Sequence, residues 1–284
     1  MWKQKIGFSV GNNYAVPTEE MVKLVKAAGF DAISPVWDSK VKLDSVIEAA
    51  HVCGLEVQSL HAPFHGVSKL WNKDETISTP EKEELLVALE DCHRWEIPVM
   101  VVHAWIGFGD EVGDIPSGLK NYGELIDRAE QYGIRLAFEN TEGLQYLNAL
   151  LEHFKDRETV GFCWDSGHEM CYNYSEDLLA KFGDRLYMTH LNDNLGISRF
   201  DGEIYWTDDL HLLPYDGIAD WEVYTDRMAA SRRMEILNFE LKIDSIPDRH
   251  ESDLYVQMEL SQYLAEAYKR ACRVACRYAQ KNNF

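Results

Sequence analysis

The chain has 284 residues, with 28 Lys plus Arg against 48 Asp plus Glu and a formal charge of −20 at neutral pH. With 46% hydrophobic and 27% charged residues it has the composition of a soluble globular protein, which excludes disorder as its main state. The acidic field disfavours nucleic acid and anionic membrane as partners at long range, and no segment approaches the ~20 uninterrupted apolar residues of a membrane span.

The first ten residues, MWKQKIGFSV, lack the long apolar run of a secretory signal, so a cytoplasmic location is expected. Six cysteines form no CxxC pair and are not spaced as a disulfide scaffold; they are expected to be reduced and mostly structural.

Eight short segments rich in β-branched, aromatic and apolar residues read as strands: 5–10, 30–37, 56–64, 99–105, 135–141, 160–166, 185–193 and 236–242. Patterns of helical period separate most of them, at 19–28, 43–52, 81–95 and 122–132. Thr18 and Thr79 are expected N-caps, the latter with Pro80 at the first helical position, and Gly29, Gly54, Gly133 and Gly183 stand where helices must stop. A long helix is expected from Asp253 to Ala279. This βα alternation predicts parallel strands with right-handed crossovers, and eight of them in this length fit a single-domain (β/α)8 TIM barrel over residues 1–284. The long connections 65–98 and 194–235 follow strand carboxyl ends, where barrel enzymes build their sites.

Chemistry concentrates at those ends. The third strand ends in His61, the fourth in His103, the fifth in Glu139, the sixth in Asp165 followed by His168, the seventh in His190 and the eighth in Glu240. Each histidine alone has an ordinary reading as a hydrogen-bonded loop or core residue; the constellation argues for more. A carboxylate ending an apolar strand, as Glu139 ends RLAF and Glu240 ends ILNF, is costly to bury without a cation or hydrogen bonds. A metal ion would offset that cost, as would an ion pair with Arg135 or Lys242. Glu139, Asp165, His190 and Glu240 come from four consecutive strands, and three oxygens with one nitrogen suit Mn, Mg, Co or Zn as the divalent ion.

The segment DLHLLPYDGIADW (209–221) is a second signal. Asp209 and His211 can point the same way from an extended loop as ligands or substrate contacts; Pro214–Gly217 reads as a turn and Asp220 as the cap of a helix starting at Trp221. Trp37, Trp105, Trp164 and Trp206 near strand ends or loops either offer a flat face to a ligand or simply pack the core.

The motifs LHAPF, FENTEG, CWDSGH, THLNDN, DLHLLPYDG and NFELK, in this order, resemble the sugar-phosphate isomerase/epimerase superfamily of xylose-isomerase-like TIM barrels, over essentially the whole chain. The resemblance implies a divalent ion held by Glu139, Asp165, His190 and Glu240, with the two glutamates as the acid/base pair on opposite faces of a carbohydrate. It implies that His168 contacts a substrate hydroxyl. The superfamily also contains apurinic-site endonucleases with three zinc ions, whose further ligands resemble His61, His103, His168, Asp209 and His211.

FENTEG lacks the small, glycine-rich continuation of the endonuclease motif, and DLHLLPYDG has one histidine where that branch often carries a longer run. The rim is poor in Lys and Arg, with Lys69, Arg199 and Lys242 as exceptions, which also disfavours DNA. The expected activity is therefore isomerisation or epimerisation of a keto sugar or related carbohydrate through an enediolate. An inosose-type dehydratase, an apurinic-site endonuclease and a non-catalytic sugar-binding barrel are the alternatives. No phosphate-binding motif is present, and the sequence leaves oligomerisation open.

Overall fold

The computed structural model describes residues 4–11, 14–40 and 42–282. The strands are β1 (Lys5–Val10), β2 (Ala32–Pro35), β3 (Glu56–Val57), β4 (Leu60–His61), β5 (Val99–His103), β6 (Arg135–Glu139), β7 (Val160–Asp165), β8 (Leu186–His190) and β9 (Ile236–Phe239), and they pair in parallel throughout. They form two sheets, ordered β3-β2-β1-β9 and β4-β5-β6-β7-β8. Single parallel bridges, Val36 to His61 and Leu191 to Phe239, join them at both seams and close the (β/α)8 TIM barrel.

The expected third strand divides because its two ends serve different neighbours. β3 pairs with β2 and β4 with β5; Gln58 N–H still donates to Ile33, while Ala62 N–H donates to Val101. That break turns the chain across one seam of the barrel.

Side-chain alternation sets the position of the site. Val101, Ala137, Cys163 and Met188 form a buried layer inside the barrel. With a period of two, the next inward positions along the same strands are His103, Glu139, Asp165 and His190. The register places His103 beside Glu139 and Asp165 beside His190, with an irregularity at Phe162/Cys163. The intervening residues, such as Met100, Val102, Phe138 and Phe162, face the helices as the outer core.

The helices are α1 (Thr18–Ala28), α2 (Leu43–Cys53), α3 (Glu75–Arg94), α4 (Ile115–Tyr132), α5 (Leu144–His153), α6 (Ser166–Cys171), α7 (Leu178–Phe182), α8 (Trp221–Ala230), α9 (Asp253–Val256) and α10 (Leu260–Lys281). Several ends differ from expectation. Thr18 is the first helical residue and makes no cap; Pro17 precedes it. α3 starts a turn before Thr79, where the Asp74 carboxylate accepts from Thr76 N–H, so Pro80 lies inside the helix. A proline there removes one backbone hydrogen bond, which the longer buried face offsets.

Gly29, Gly54 and Gly133 end their helices in the left-handed region. Gly183 does not, with φ −59°; it provides room, since a Cβ there would collide with Ser231. The expected carboxy-terminal helix is two helices broken at 257–259, with Leu254 facing solvent and Tyr255 turned inward in the first of them. Asp220 caps α8 as expected, accepting from Glu222 and Val223 N–H. All six cysteines are free thiols. Among the described residues no helix is long and apolar enough to cross a membrane.

Candidate metal and active site

A cavity of about 540 Å³ opens at the carboxyl rim of the barrel. His61, His103, Glu139, His168, Asp209, His211 and Glu240 line it. Asp165 and His190 are wholly buried in the same cluster, so all nine candidate residues come together.

Their donor atoms fall into sets able to hold an ion: Glu139, Asp165, His190 and Glu240; His61, His103 and Glu139, which shares Glu139 with the first; and His168, Asp209 and His211. A further set, Glu139, His190 and Cys163, involves a thiol one layer down that sequence reasoning did not single out. Only its place two residues before Asp165 on an alternating strand could have signalled it.

Glu139 is the hub. Its Oε2 lies 3.1 Å from His190 Nδ1 and 3.4 Å from both His61 Nε2 and His103 Nε2, while Oε1 lies 3.2 Å from His168 Nδ1. Glu240 Oε2 approaches His190 Nδ1 to 2.6 Å, yet neither atom is aligned for a hydrogen bond. Burial works against ionisation of Glu139 and Glu240, but His190, with His103 for Glu139 and His211 for Glu240, holds both carboxyls below the usual range. The same carboxylates, with Cys163, raise His190 against its burial. Asp165 is pushed up, burial outweighing its attraction to His168 and His211.

Hydrogen bonds to backbone carbonyls fix which edge the His61 and His211 imidazoles turn toward the cavity. His61 Nδ1 bonds the Ala62 carbonyl at 2.8 Å, so its Nε2 carries the lone pair toward His103 and Glu139. His211 Nδ1 bonds the Glu240 carbonyl at 3.1 Å and turns Nε2 onto Asp209 Oδ2 at 2.9 Å. His211 reaches this pose with φ 47°, a strained left-handed backbone for a non-glycine residue. Buried atoms without hydrogen-bond partners include Glu139 Oε2, His190 Nδ1, Asp209 Oδ1 and Glu240 Oε2. Converging lone pairs of this kind repel unless a cation or protons lie between them, and the donor set fits a divalent ion.

Outer contacts hold the ligands in place. Asn192 Nδ2 donates to both oxygens of Asp165 at 3.1 and 2.9 Å, and His168 N–H donates to Oδ1 at 2.7 Å from the first turn of α6. Asp193 clamps the 209–221 segment: its carboxylate accepts from Tyr215 N–H, Ala219 N–H and Trp221 Nε1 at 2.8 to 3.0 Å. Both residues stand in THLNDN, but sequence alone does not distinguish a residue that holds a ligand from a ligand.

The alternative ion pairs for the two glutamates do not form. Arg135 lies over the Tyr187 ring, and Lys242 bonds Asp209 Oδ2 at 3.3 Å. Of the four tryptophans, Trp37 lines the cavity. Trp105 stacks on Tyr146, Trp164 is buried and bonded to Glu169, and Trp206 is exposed and outside the cavity lining. The lining also contains Lys40, Phe64, His65, Ile106 and Tyr172, the last stacked on His168; these loop residues carry no periodic signal.

Comparison with known proteins agrees with this architecture. Over 153 residues the chain is 34% identical to the uncharacterized protein y4fM of Sinorhizobium fredii (strain NBRC 101917 / NGR234), a match covering 51% of this chain and 46% of that protein. A fusion of a xylose isomerase-like TIM barrel with 4-hydroxyphenylpyruvate dioxygenase superposes with TM-score 0.72 at 15% identity, over 98% of this chain and 44% of that one. The chain thus spans less than half the length of each of these two proteins. A D-tagatose 3-epimerase-like protein superposes with TM-score 0.67 at 19% identity, over 95% of this chain and 98% of the other. Residues 22–264 match the profile of the family described as Xylose isomerase-like TIM barrel, and the chain belongs to that family.

Proposed function

We propose that this protein is a divalent-metal-dependent isomerase or epimerase of a keto sugar or related carbohydrate, acting as a single barrel domain. The observation that carries the reading is the convergence of Glu139, Asp165, His190 and Glu240, with unpartnered buried lone pairs, at one end of a cavity large enough for a sugar. The similarity of the fold to a D-tagatose 3-epimerase-like protein supports a carbohydrate substrate.

Mn²⁺, Zn²⁺, Co²⁺ or Mg²⁺ held there would polarise adjacent carbonyl and hydroxyl oxygens and lower the barrier to an enediolate. Glu139 and Glu240 are the acid/base pair: ionised by their histidine neighbours, one takes the proton from the hydroxyl-bearing carbon next to the carbonyl and the other returns or exchanges it. His61, His103, His168, Asp209 and His211 hold substrate hydroxyls, and Trp37 offers an aromatic face beside them. The test is metal analysis followed by solvent deuterium incorporation across a panel of ketoses and inososes. Incorporation with retention of the carbon skeleton supports the reading; loss of water from an inosose favours a dehydratase, and no incorporation into any compound overturns the assignment.

One observation favours a second reading, a metal-dependent apurinic-site endonuclease: all three ligand sets are complete. Against it, among the described residues Lys40 and Lys242 are the only Lys or Arg lining the cavity, a thin footprint for phosphates. Cleavage of abasic duplex DNA by the zinc-loaded protein would decide for it.

A further inference from the structure

One of the three ligand sets at the rim already contains a cation. Lys242 Nζ lies 3.3 Å from Asp209 Oδ2, in the set completed by His168 and His211. Among the described residues the ion-pair partners of Glu139, Asp165 and Glu240 are histidines alone. The lysine therefore distinguishes this set from the other two.

Its position is fixed by more than its flexible stem. Lys242 N–H donates to the His211 carbonyl at 3.1 Å, and His211 Nδ1 bonds the Glu240 carbonyl at 3.1 Å, so residues 209–211 and 240–242 are laced together. Wherever Glu240 lies, Lys242 follows two residues on, beside Asp209. The Lys242 side chain is 27% exposed, mostly withdrawn from solvent along this seam.

We propose that the Lys242 ammonium takes the place of a metal ion at His168, Asp209 and His211, limiting the site to ions on the Glu139 side. The inference rests on the reading of Glu139, Asp165, His190 and Glu240 as the metal centre and specifies how many ions the whole rim accepts. An ammonium on Asp209 already neutralises its charge, and a divalent ion would have to share a carboxylate with that fixed positive group at short range, in a site that screens poorly. His168, Asp209 and His211 then remain paired with one another and with Lys242, able to exchange hydrogen bonds with substrate hydroxyls. An ion pair of this kind suits chelation of a sugar by one centre better than a three-ion attack on a phosphodiester.

The test is ion count and affinity in the full chain. Wild type, Lys242→Met, Lys242→Gln and Lys242→Arg are stripped with chelator, reloaded with Zn²⁺ or Mn²⁺, desalted and analysed by elemental mass spectrometry and titration calorimetry. Wild type and Lys242→Arg should hold at most two ions. Lys242→Met and Lys242→Gln should each gain one more equivalent, bound at least about tenfold more tightly than any third ion in wild type. Circular dichroism identifies folded variants, and either neutral variant carries the test if the other fails to fold. Three tight ions in wild type, or no gain in the neutral variants, overturns the role of Lys242 while leaving the metal centre intact. No ion in any of the proteins overturns both.

Discussion

Four imidazoles stand within 3.4 Å of the Glu139 carboxylate, and among the described residues no ammonium or guanidinium is paired with it. A buried carboxylate in such company depends on protons or a metal ion for its stability. Glu139→Gln keeps the shape and removes the charge, so it should lower turnover by at least about 10²-fold and also lower bound metal, as should Glu240→Gln. Turnover and metal content measured together check this; wild-type values for either variant would remove that glutamate from the mechanism. Asn192 acts one step back. Asn192→Leu strips Asp165 of both hydrogen bonds from the Asn192 amide, and metal affinity by calorimetry should weaken by about 10- to 100-fold, with the fold retained. The ligands were legible in the sequence because strand ends are; Asn192 was not, because its role depends on β7 and β8 lying side by side.

At the scale of elements, what matters is how connections are tied to the barrel. Asp193, three residues past the end of β8, binds the Tyr215 and Ala219 N–H groups and the Trp221 indole, and so carries Asp209 and His211 to the rim. Asp193→Ala should destabilise the protein by about 3 kcal/mol, since several donors lose a charged acceptor together. Urea unfolding measures it, and a change below about 0.5 kcal/mol would show that the segment is held by something else. On the opposite side, α4 approaches Trp71 so closely that a Cβ at Gly118 would overlap the indole ring. Gly118→Ala should therefore cost about 1–3 kcal/mol, despite alanine's better helix propensity. The sequence marked only 122–132 of α4 as helical, leaving out the turn that holds Gly118, and gave no sign of this contact, because Trp71 and Gly118 meet only when the β4 connection folds back.

Across the whole molecule, the excess of acidic residues includes three buried carboxylates, Glu139, Asp165 and Asp209, and the partly buried Glu240 at one rim. In the chelated protein the signs of their linkage can be worked out. Glu139, Glu240 and Asp209 are depressed, so their contribution is present above about pH 4 and is lost as pH falls through their folded values. His168 and His190 are raised, so theirs is complete below about pH 6.5 and is lost as pH rises through their folded values. Metal-free stability should peak near about pH 5–6.5 and then decline, whereas the rise in Tm on adding Mn²⁺ or Zn²⁺ should grow over the same alkaline range, because ligands must lose protons. Melting curves from pH 5 to 9, with chelator and with metal, check both; a metal-free Tm that climbs from pH 6 to 9 contradicts the assignment.

The sequence by itself determined the barrel and its chemical rim. Period-two strands alternating with period-3.6 helices fix which side chains face inward, and the carboxylates and imidazoles ending the third to eighth expected strands must then share one end of the barrel. Tertiary structure decided what local pattern does not encode: the division of the third strand across the seam, the helix ends set by packing instead of by Thr18 or Thr79, and the sorting of tryptophans into core and cavity. It also decided the partners of the ligands. Asn192, Asp193, Cys163 and Lys242 acquire their roles from contacts with other strands and loops, and only closure of the barrel brings those neighbours within reach.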